Sequence, residues 1–253
     1  MLWVLFLVLA CAVTGLSCGR LGLAAARAAD AELALGTARP GHELSLYETA
    51  FLSGGPARVA DVTLVSMARG RRLLLAHTGW ATVVDPVGED DVERAVIGAI
   101  GPAGQSPIAP LRAAAAAGDA VRAVAERLVA AGLAVPETAR AAVAGAARQV
   151  RAAAVAVVAL GAAAVLVPGG TAGQGLPVVL WFALPLVLTL SCLALVRIEI
   201  HPHTRWASPA GQRLLAALPA GAGGLHAVAV RGVRALDDPA LRAALGSRTA
   251  VGG

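Results

Sequence analysis

Three stretches of the chain are apolar all round, and the segments between them alternate apolar and polar positions with helical or strand spacing. Leu2 to about Leu23 is apolar apart from Arg20. About 20 residues at 1.5 Å each match the roughly 30 Å hydrocarbon core of a bilayer. Ala152–Val167 is shorter and alanine-rich, and Leu176–Val196 is longer and more strongly apolar. The Pro168–Gly175 stretch between them has no charge, so the pair reads as a helical hairpin. Pro185 inside the last stretch predicts a kink, which neighbouring helices tolerate. Gly161, Ala162, Ala163 and Ala164 predict close approach of the hairpin helices.

Between the first and second stretches the pattern predicts a folded helical insert. Ser45 with Glu48 forms a capping box for a helix reaching Leu52. Gly54-Gly55 ends that helix, and Pro56 suits the first turn of the next. Val59, Val62, Thr63, Leu64, Val65 and Met67 carry the second helix to Gly70. Arg71 to Val84 then predicts a β-hairpin around Thr78-Gly79. Asp90 or Asp91 caps a short helix with Val92, Ala95, Val96 and Ile100 on one face. Gly101–Pro110 reads as a loop, and Leu111–Ala117 and Asp119–Ala131 read as helices.

Helix, helix, hairpin is the order of a winged helix, with a looser second copy at Val121–Val135. After the last apolar stretch, Ala210–Leu218, Leu225–Leu236 and Pro239–Leu245 read as helices. The expected class is therefore mainly α and membranous: three transmembrane helices plus a cytosolic, winged-helix-like helical domain with a small β-hairpin. The expected segments are an N-terminal anchor (1–26), the cytosolic domain (27–151), the transmembrane hairpin (152–196) and a cytosolic C-terminal helical segment (197–253).

Composition supports lipid. Of 253 residues, 57% are hydrophobic and only 15% charged, with mean hydropathy +0.72, whereas soluble domains carry about 25% charged residues. Every basic side chain is arginine, as the coding bias of a GC-rich genome produces. The absence of lysine excludes P-loop enzymes, protein kinases and Schiff-base enzymes. The net charge of +5 and pI near 10.3 invite a nucleic-acid reading, but the positive-inside rule accounts for them. Arg20 and Arg27 follow the first stretch, Arg140, Arg148 and Arg151 precede the second, and Arg197, Arg205 and Arg213 follow the third. All eight fit on one side, the cytosol, which puts the N-terminus outside and the C-terminus inside a plasma membrane. Two rival readings of the first stretch are a cleaved signal peptide, which wants a positive region before it, and a lipoprotein leader ending at Cys11 or Cys18. Cys11, Cys18 and Cys192 all lie in apolar runs and read as small buried hydrophobes.

Candidate chemistry is sparse. Glu199, His201 and His203 alternate, and an extended strand would place all three on one face, a donor set that suits zinc. Tyr47, Glu48 and Arg58 read as a polar cluster around the Gly54-Gly55-Pro56 turn. Asp85, Glu89, Asp90, Asp91 and Glu93 read as a solvated helix start without calcium-loop spacing. Gly169-Gly170-Thr171-Ala172-Gly173 follows an apolar helix rather than a strand and has no lysine, so it is no phosphate loop. His42, His77 and His226 are isolated. No cofactor is implied.

The run Leu46-Tyr47-Glu48-Thr49-Ala50-Phe51-Leu52-Ser53-Gly54-Gly55-Pro56-Ala57-Arg58-Val59 resembles an uncharacterised actinobacterial membrane-protein family. Its members carry a Tyr-Glu-x-Ala-aromatic-Leu-x-Gly-Gly-Pro-x-Arg-Val run and a conserved domain of unknown function. The resemblance implies the same organisation, with an N-terminal span, a central hairpin of spans and a late segment that looks like Ser208–Leu215 and Gly232–Leu245. Many relatives end in a Gly/Cys-rich tail, and this sequence stops at Val251-Gly252-Gly253. Tyr47, Glu48, Gly54, Gly55, Pro56 and Arg58 are the family-motif residues; none is catalytic by resemblance. The expected function is a non-catalytic, membrane-anchored interaction module for the bilayer and a cytosolic protein. The alternatives are a membrane enzyme or metal-binding protein using Glu199, His201 and His203, and a membrane-tethered DNA-binding regulator. Asp61 and the packing residues of the second helix disfavour nucleic acid as a partner.

Overall fold

The computed structural model describes residues 2–34, 43–166, 175–199, 204, 206–219 and 223–246. These residues are mostly helical, with a small three-stranded antiparallel sheet, and they divide into two compact units.

The first unit contains α1 (Leu2–Ala34), α7 (Glu137–Leu166) and α8 (Gly175–Glu199). On α7 the buried positions are Val143, Ala146, Val150, Ala153, Val157 and Ala164. Their spacing alternates three and four residues as far as Val157, with Ala164 a further heptad on, the spacing that keeps one seam against partner helices. One cluster joins Ala10 of α1 with Val157, Ala164 and Phe182, and a second joins Leu21 with Ala146 and Val150, packed by Cys192 and Leu193. The sequence order within the clusters makes α7 antiparallel to both α1 and α8, so α1 and α8 run parallel. A Cβ on Gly161 would meet the Phe182 ring at 3.4 Å, an ordinary van der Waals contact, so the two helices pack closely here. The α8 helix continues through Pro185.

The outer faces of these helices stay apolar: Leu5, Leu9, Leu16, Val155, Leu180, Trp181, Leu184 and Val187 are exposed. A water-soluble helix carries polar residues on that face. By length and composition α1 (Val4–Arg27) and α7 (Glu137–Ala164) can each cross a bilayer, and the apolar stretch of α8 among the described side chains is shorter, Leu180–Ala194. The helix expected from Ala152 begins at Glu137, so Arg140, Arg148 and Arg151 are its first turns rather than a tail of the preceding domain.

The second unit combines residues 35–135 with 206–253. This corrects the expectation of a separate C-terminal segment from 197 onward. The elements before the hairpin are α2 (Leu46–Gly54), α3 (Pro56–Arg69), β1 (Leu73–Leu75), β2 (Trp80–Val83), α4 (Asp91–Ile100), β3 (Gln105–Pro107), α5 (Ile108–Ala117) and α6 (Asp119–Ala130). Those after it are α9 (Pro209–Ala216), α10 (Gly224–Arg231), a 3-10 turn (Val233–Ala235) and α11 (Pro239–Gly246). Val228, Ala229, Leu236, Ala244 and Leu245 belong to the same buried core as Phe51, Leu52, Val59, Leu64, Met67 and Leu128. The late helices are too short to bury an apolar face among themselves, so their hydrophobic residues complete a core begun before residue 135.

The capping box forms as the sequence predicts. The Ser45 N–H donates to Glu48 Oε2 at 2.9 Å and the Glu48 N–H donates to Ser45 Oγ at 3.3 Å. The expected hairpin forms too, with Leu74 opposite Thr82. The Gly101–Pro110 loop does not: Gln105–Pro107 adds a third strand beside β2, and α5 already starts at Ile108. Pro110 falls in the first turn of α5, where a missing N–H costs no hydrogen bond. The second winged-helix copy does not close locally either. Ala134, which would begin its hairpin, bridges instead to Ala207, and the Val135 N–H donates to Trp206 O at 3.0 Å. The helix expected over Leu225–Leu236 breaks at Gly232, whose φ of 88° belongs to the left-handed region.

Candidate functional site

The Gly-Gly-Pro turn and the residues around it gather much of the polar chemistry of the second unit. Gly55 ends α2 with φ 73°, and its N–H donates to Phe51 O at 2.7 Å. The Trp206 indole lies against it: a Cβ on Gly55 would stand 2.0 Å from Trp206 Cε2. The same indole meets the Phe51 ring edge to face at 5.4 Å between centroids. One glycine thus serves two needs, a left-handed turn and the seat for the tryptophan that opens the late segment. Gly54 lies under the Arg58 side chain, which a Cβ there would meet at 2.7 Å.

Arg58, three residues further along, reaches the end of α10. Its Nη1 donates to the carbonyls of Val228 (3.3 Å), Ala229 (3.4 Å) and Val230 (3.3 Å). The last carbonyls of a helix lack intrahelical donors and carry its negative dipole end, so a guanidinium there satisfies both. A Cβ on Gly232 would stand 2.8 Å from Arg58 Cζ, which explains glycine at that position. Burial lowers the Arg58 pKa from its usual range. The expected polar cluster of Tyr47, Glu48 and Arg58 is not assembled as one group: Glu48 closes the capping box and Arg58 caps α10.

Three further polar pairs lie in the same unit. Asp61 is buried on α3 and accepts from Arg112 Nη2 of α5 at 2.6 Å. Burial raises the Asp61 pKa above the ordinary carboxylate range, with Arg112 and then Arg58 pulling the other way. Tyr47 Oη donates to Asp90 Oδ2 at 2.7 Å, and Asp90 Oδ1 accepts the Glu93 N–H at 2.8 Å as the N-cap of α4. The acidic run is therefore not simply a solvated helix start. Glu93 is buried and pairs with Arg72, which also reaches exposed Glu89, and its Oε2 accepts the Glu89 N–H at 2.9 Å. Sequence spacing missed the Arg72–Glu93 pair because its partners stand 21 residues apart. The available signal was a glutamate inside the apolar face of α4, between Val92 and Val96.

Tyr47 is the chain's one tyrosine, so its titration can be read without interference. Burial, then the hydrogen bond to Asp90, raises its pKa above the usual value of 10.0. A tyrosine whose folded pKa is raised favours folding while it stays neutral. That contribution is present below about pH 10 and is lost as pH climbs from there toward the folded pKa. The tyrosinate absorbance of the folded protein should therefore rise only above pH 10, and Asp90→Asn should move the midpoint down without bringing it to 10, since burial remains. A wild-type midpoint at 10 would remove the Asp90 contact from the account.

The metal candidate is not assembled among the described residues. Glu199 is the last residue of α8, so an extended strand does not begin there, and His201 and His203 lie outside the described residues. Among the described residues no group of three or more His, Cys, Asp or Glu side chains converges. The Gly169–Gly173 run and His42 also lie outside them. His77 is exposed in the hairpin turn, and His226 lines a cleft of about 450 Å³ with Leu215, Leu218, Pro219 and Val230. The arrangement around Gly55 can therefore clamp and cap; the described residues there include no paired nucleophile and base.

The outer face of the sheet is apolar and exposed. Leu74 on β1 and Trp80 on β2 are 61% and 47% exposed, and Val84 just beyond β2 is 62% exposed. Comparisons with protein-family models, curated proteins and solved structures give no match.

Proposed function

We propose that the chain is a three-span membrane protein that holds a closed, winged-helix-like domain at the cytosolic surface as a non-catalytic module for binding another protein. The observation that carries the reading is the shared core of residues 43–135 and 206–246. A core built from both pieces lies on one side of a bilayer, so the chain between Val135 and Trp206 crosses it an even number of times. The α7–α8 hairpin supplies two crossings, and α1 supplies a third. The packing of Ala10 and Leu21 against α7 and α8 favours an α1 that is retained over a cleaved leader.

Charge supports both the orientation and the kind of partner. Residues 43–135 and 206–246 together hold twelve arginines and twelve carboxylates. Of the nine arginines outside those ranges, seven lie along or beside the apolar helices, Arg20, Arg27, Arg140, Arg148, Arg151, Arg197 and Arg205, and the other two are Arg39 and Arg248. That distribution is the positive-inside signature of a plasma-membrane protein with its N-terminus outside and its C-terminus in the cytosol. A core whose charges balance exerts little general electrostatic pull on nucleic acid or on anionic lipid. Its exposed Leu74, Trp80 and Val84 suit an apolar protein surface. The family that the 46–59 run resembles belongs to the same proposal.

The full-length protein in its native membrane tests the reading. A reporter inserted at Gly104 should behave as cytosolic and one after Gly173 as external; the reverse pattern would overturn the topology. Trp80→Ser combined with Leu74→Ser should change stability by no more than about 1 kcal/mol, because both side chains are exposed. The wild type should form a larger species on native electrophoresis, and the same variant should lose it. An unchanged species, or one that depends on anionic lipid or DNA, would count against a protein partner.

A further inference from the structure

The outer face of α7 changes character along its length. Ala146, Val150, Ala153 and Val157 belong to its buried seam, which meets α1 and α8. Arg148 stands two residues from both Ala146 and Val150, about 200° round the helix, and so lies opposite that seam. Arg151, Val155 and Val158 follow it at helical spacing, three or four residues apart, and share its face. All four are exposed, Val155 at 70% and Val158 at 56%. The stripe is thus cationic toward the N-terminus of α7 and apolar beyond it.

Helix length sets the depth of the two charges. The uncharged part of α7, residues 152–166, is about 22 Å long, shorter than the roughly 30 Å hydrocarbon core. An α7 that crosses the bilayer therefore draws Arg151 and Arg148 to the level of the lipid phosphates. The Cα–Cβ bonds of a helix tilt toward its N-terminus, which directs both side chains away from the apolar half. Arg148 follows that tilt, its Nη2 lying 3.8 Å from where a Gly145 Cβ would stand. Neither arginine forms an ion pair among the described residues. A guanidinium at that depth without a counter-charge is costly.

We propose that this face of α7 is a binding site for one anionic glycerophospholipid. The lipid phosphate accepts hydrogen bonds from Arg148 and Arg151, a pairing that the guanidinium fork suits, and an acyl chain lies along Val155 and Val158. A zwitterionic lipid binds less tightly, because its own ammonium group offsets the phosphate charge. The inference rests on α7 crossing the bilayer, as in the proposed function, but not on which side its N-terminal end faces.

The test uses the full-length protein in a neutral detergent, titrated with phosphatidylglycerol or with phosphatidylcholine of the same acyl chains. Native mass spectrometry reads the first bound lipid. The wild type should prefer phosphatidylglycerol. Arg148→Gln with Arg151→Gln should weaken phosphatidylglycerol binding about 25-fold, roughly fivefold for each arginine, and erase most of the preference. Arg20→Gln with Arg27→Gln removes the same charge from α1, across the seam, and should leave the preference in place. Excess inorganic phosphate should not displace the lipid. Equal wild-type affinities for the two lipids would overturn the proposal. So would an equal loss in the α1 variant, which would mean a general field, or displacement by phosphate, which would mean a bare anion site. Reporters at Gly104 and after Gly173 on the same side would take α7 out of the bilayer and overturn the span and the site together. Reporters on opposite sides without a lipid preference would sink the site alone.

Discussion

Gly55→Ala is expected to destabilise the second unit by about 3 kcal/mol or more, one of the two largest single-residue effects predicted for this chain. Two costs add. A non-glycine residue at φ 73° takes on left-handed strain of about 1 kcal/mol. The new Cβ would also stand 2.0 Å from Trp206 Cε2, and overpacking of this kind costs about 1–3 kcal/mol even when neighbours shift. Trp206 cannot retreat freely, because its ring is held edge-on to Phe51 and its carbonyl accepts the Val135 N–H. Chemical denaturation of the full-length protein in micelles, followed by tryptophan fluorescence, reads the loss. In a Trp206→Ala background the same glycine change should cost only the strain, about 1 kcal/mol. Equal losses in the two backgrounds would mean that the turn, and not the indole, dictates glycine, and would remove the clamp from the account of this motif.

The helical elements were legible because they depend on local chemistry. Ser45 and Glu48 stand three apart, Pro56 follows two glycines, and Asp90 precedes an apolar face, so each cap could be read within one turn of helix. The hairpin around Thr78-Gly79 was legible for the same reason. What could not be read is how pieces far apart in sequence combine. Nothing near Arg58 announces that its partners are the carbonyls of residues 228–230. Nothing near Gly101–Pro110 announces that Gln105–Pro107 will pair with β2, since a three-residue edge strand has too few positions to show alternation. The late segment looked separate because 70 residues, counted from 136 to 205, part it from the core it completes.

The motif residues illustrate how such a pattern can carry structure rather than catalysis. Tyr47 holds the N-cap of α4, Glu48 caps α2, Gly54 and Gly55 clear space for Arg58 and Trp206, and Arg58 caps α10. Three of the six reach the segment that returns after the hairpin or make room for a side chain that does. A run that looks like a site in the sequence is here the closure of a core whose two pieces are separated by the α7–α8 hairpin. In the proposed topology this closure requires both ends of the hairpin to lie on the same face of the bilayer.

The second large effect concerns the acidic run. Glu93→Ala is expected to cost about 3 kcal/mol, because the Glu93 side chain is only 3% exposed and its Arg72 partner 15%. Removing one member of a buried pair leaves the other charge desolvated, which costs about 3–5 kcal/mol. Arg72 keeps Glu89 as a second carboxylate, 74% exposed, and that contact holds the cost at the lower end of the range. The Glu89 N–H also loses its acceptor. The opposite change separates attraction from desolvation. Arg72→Met with Glu93→Leu removes both charges while keeping apolar bulk, and such replacements are often neutral or stabilising. The double variant should therefore unfold within about 1 kcal/mol of the wild type in the same denaturation experiment, although it contains the glutamate loss that is costly alone. If Glu93→Ala also costs under about 1 kcal/mol, water reaches the pair and it behaves as a surface bridge. If instead the double variant is as damaged as the single, the pair holds α4 against the β1–β2 hairpin by geometry that apolar bulk cannot replace.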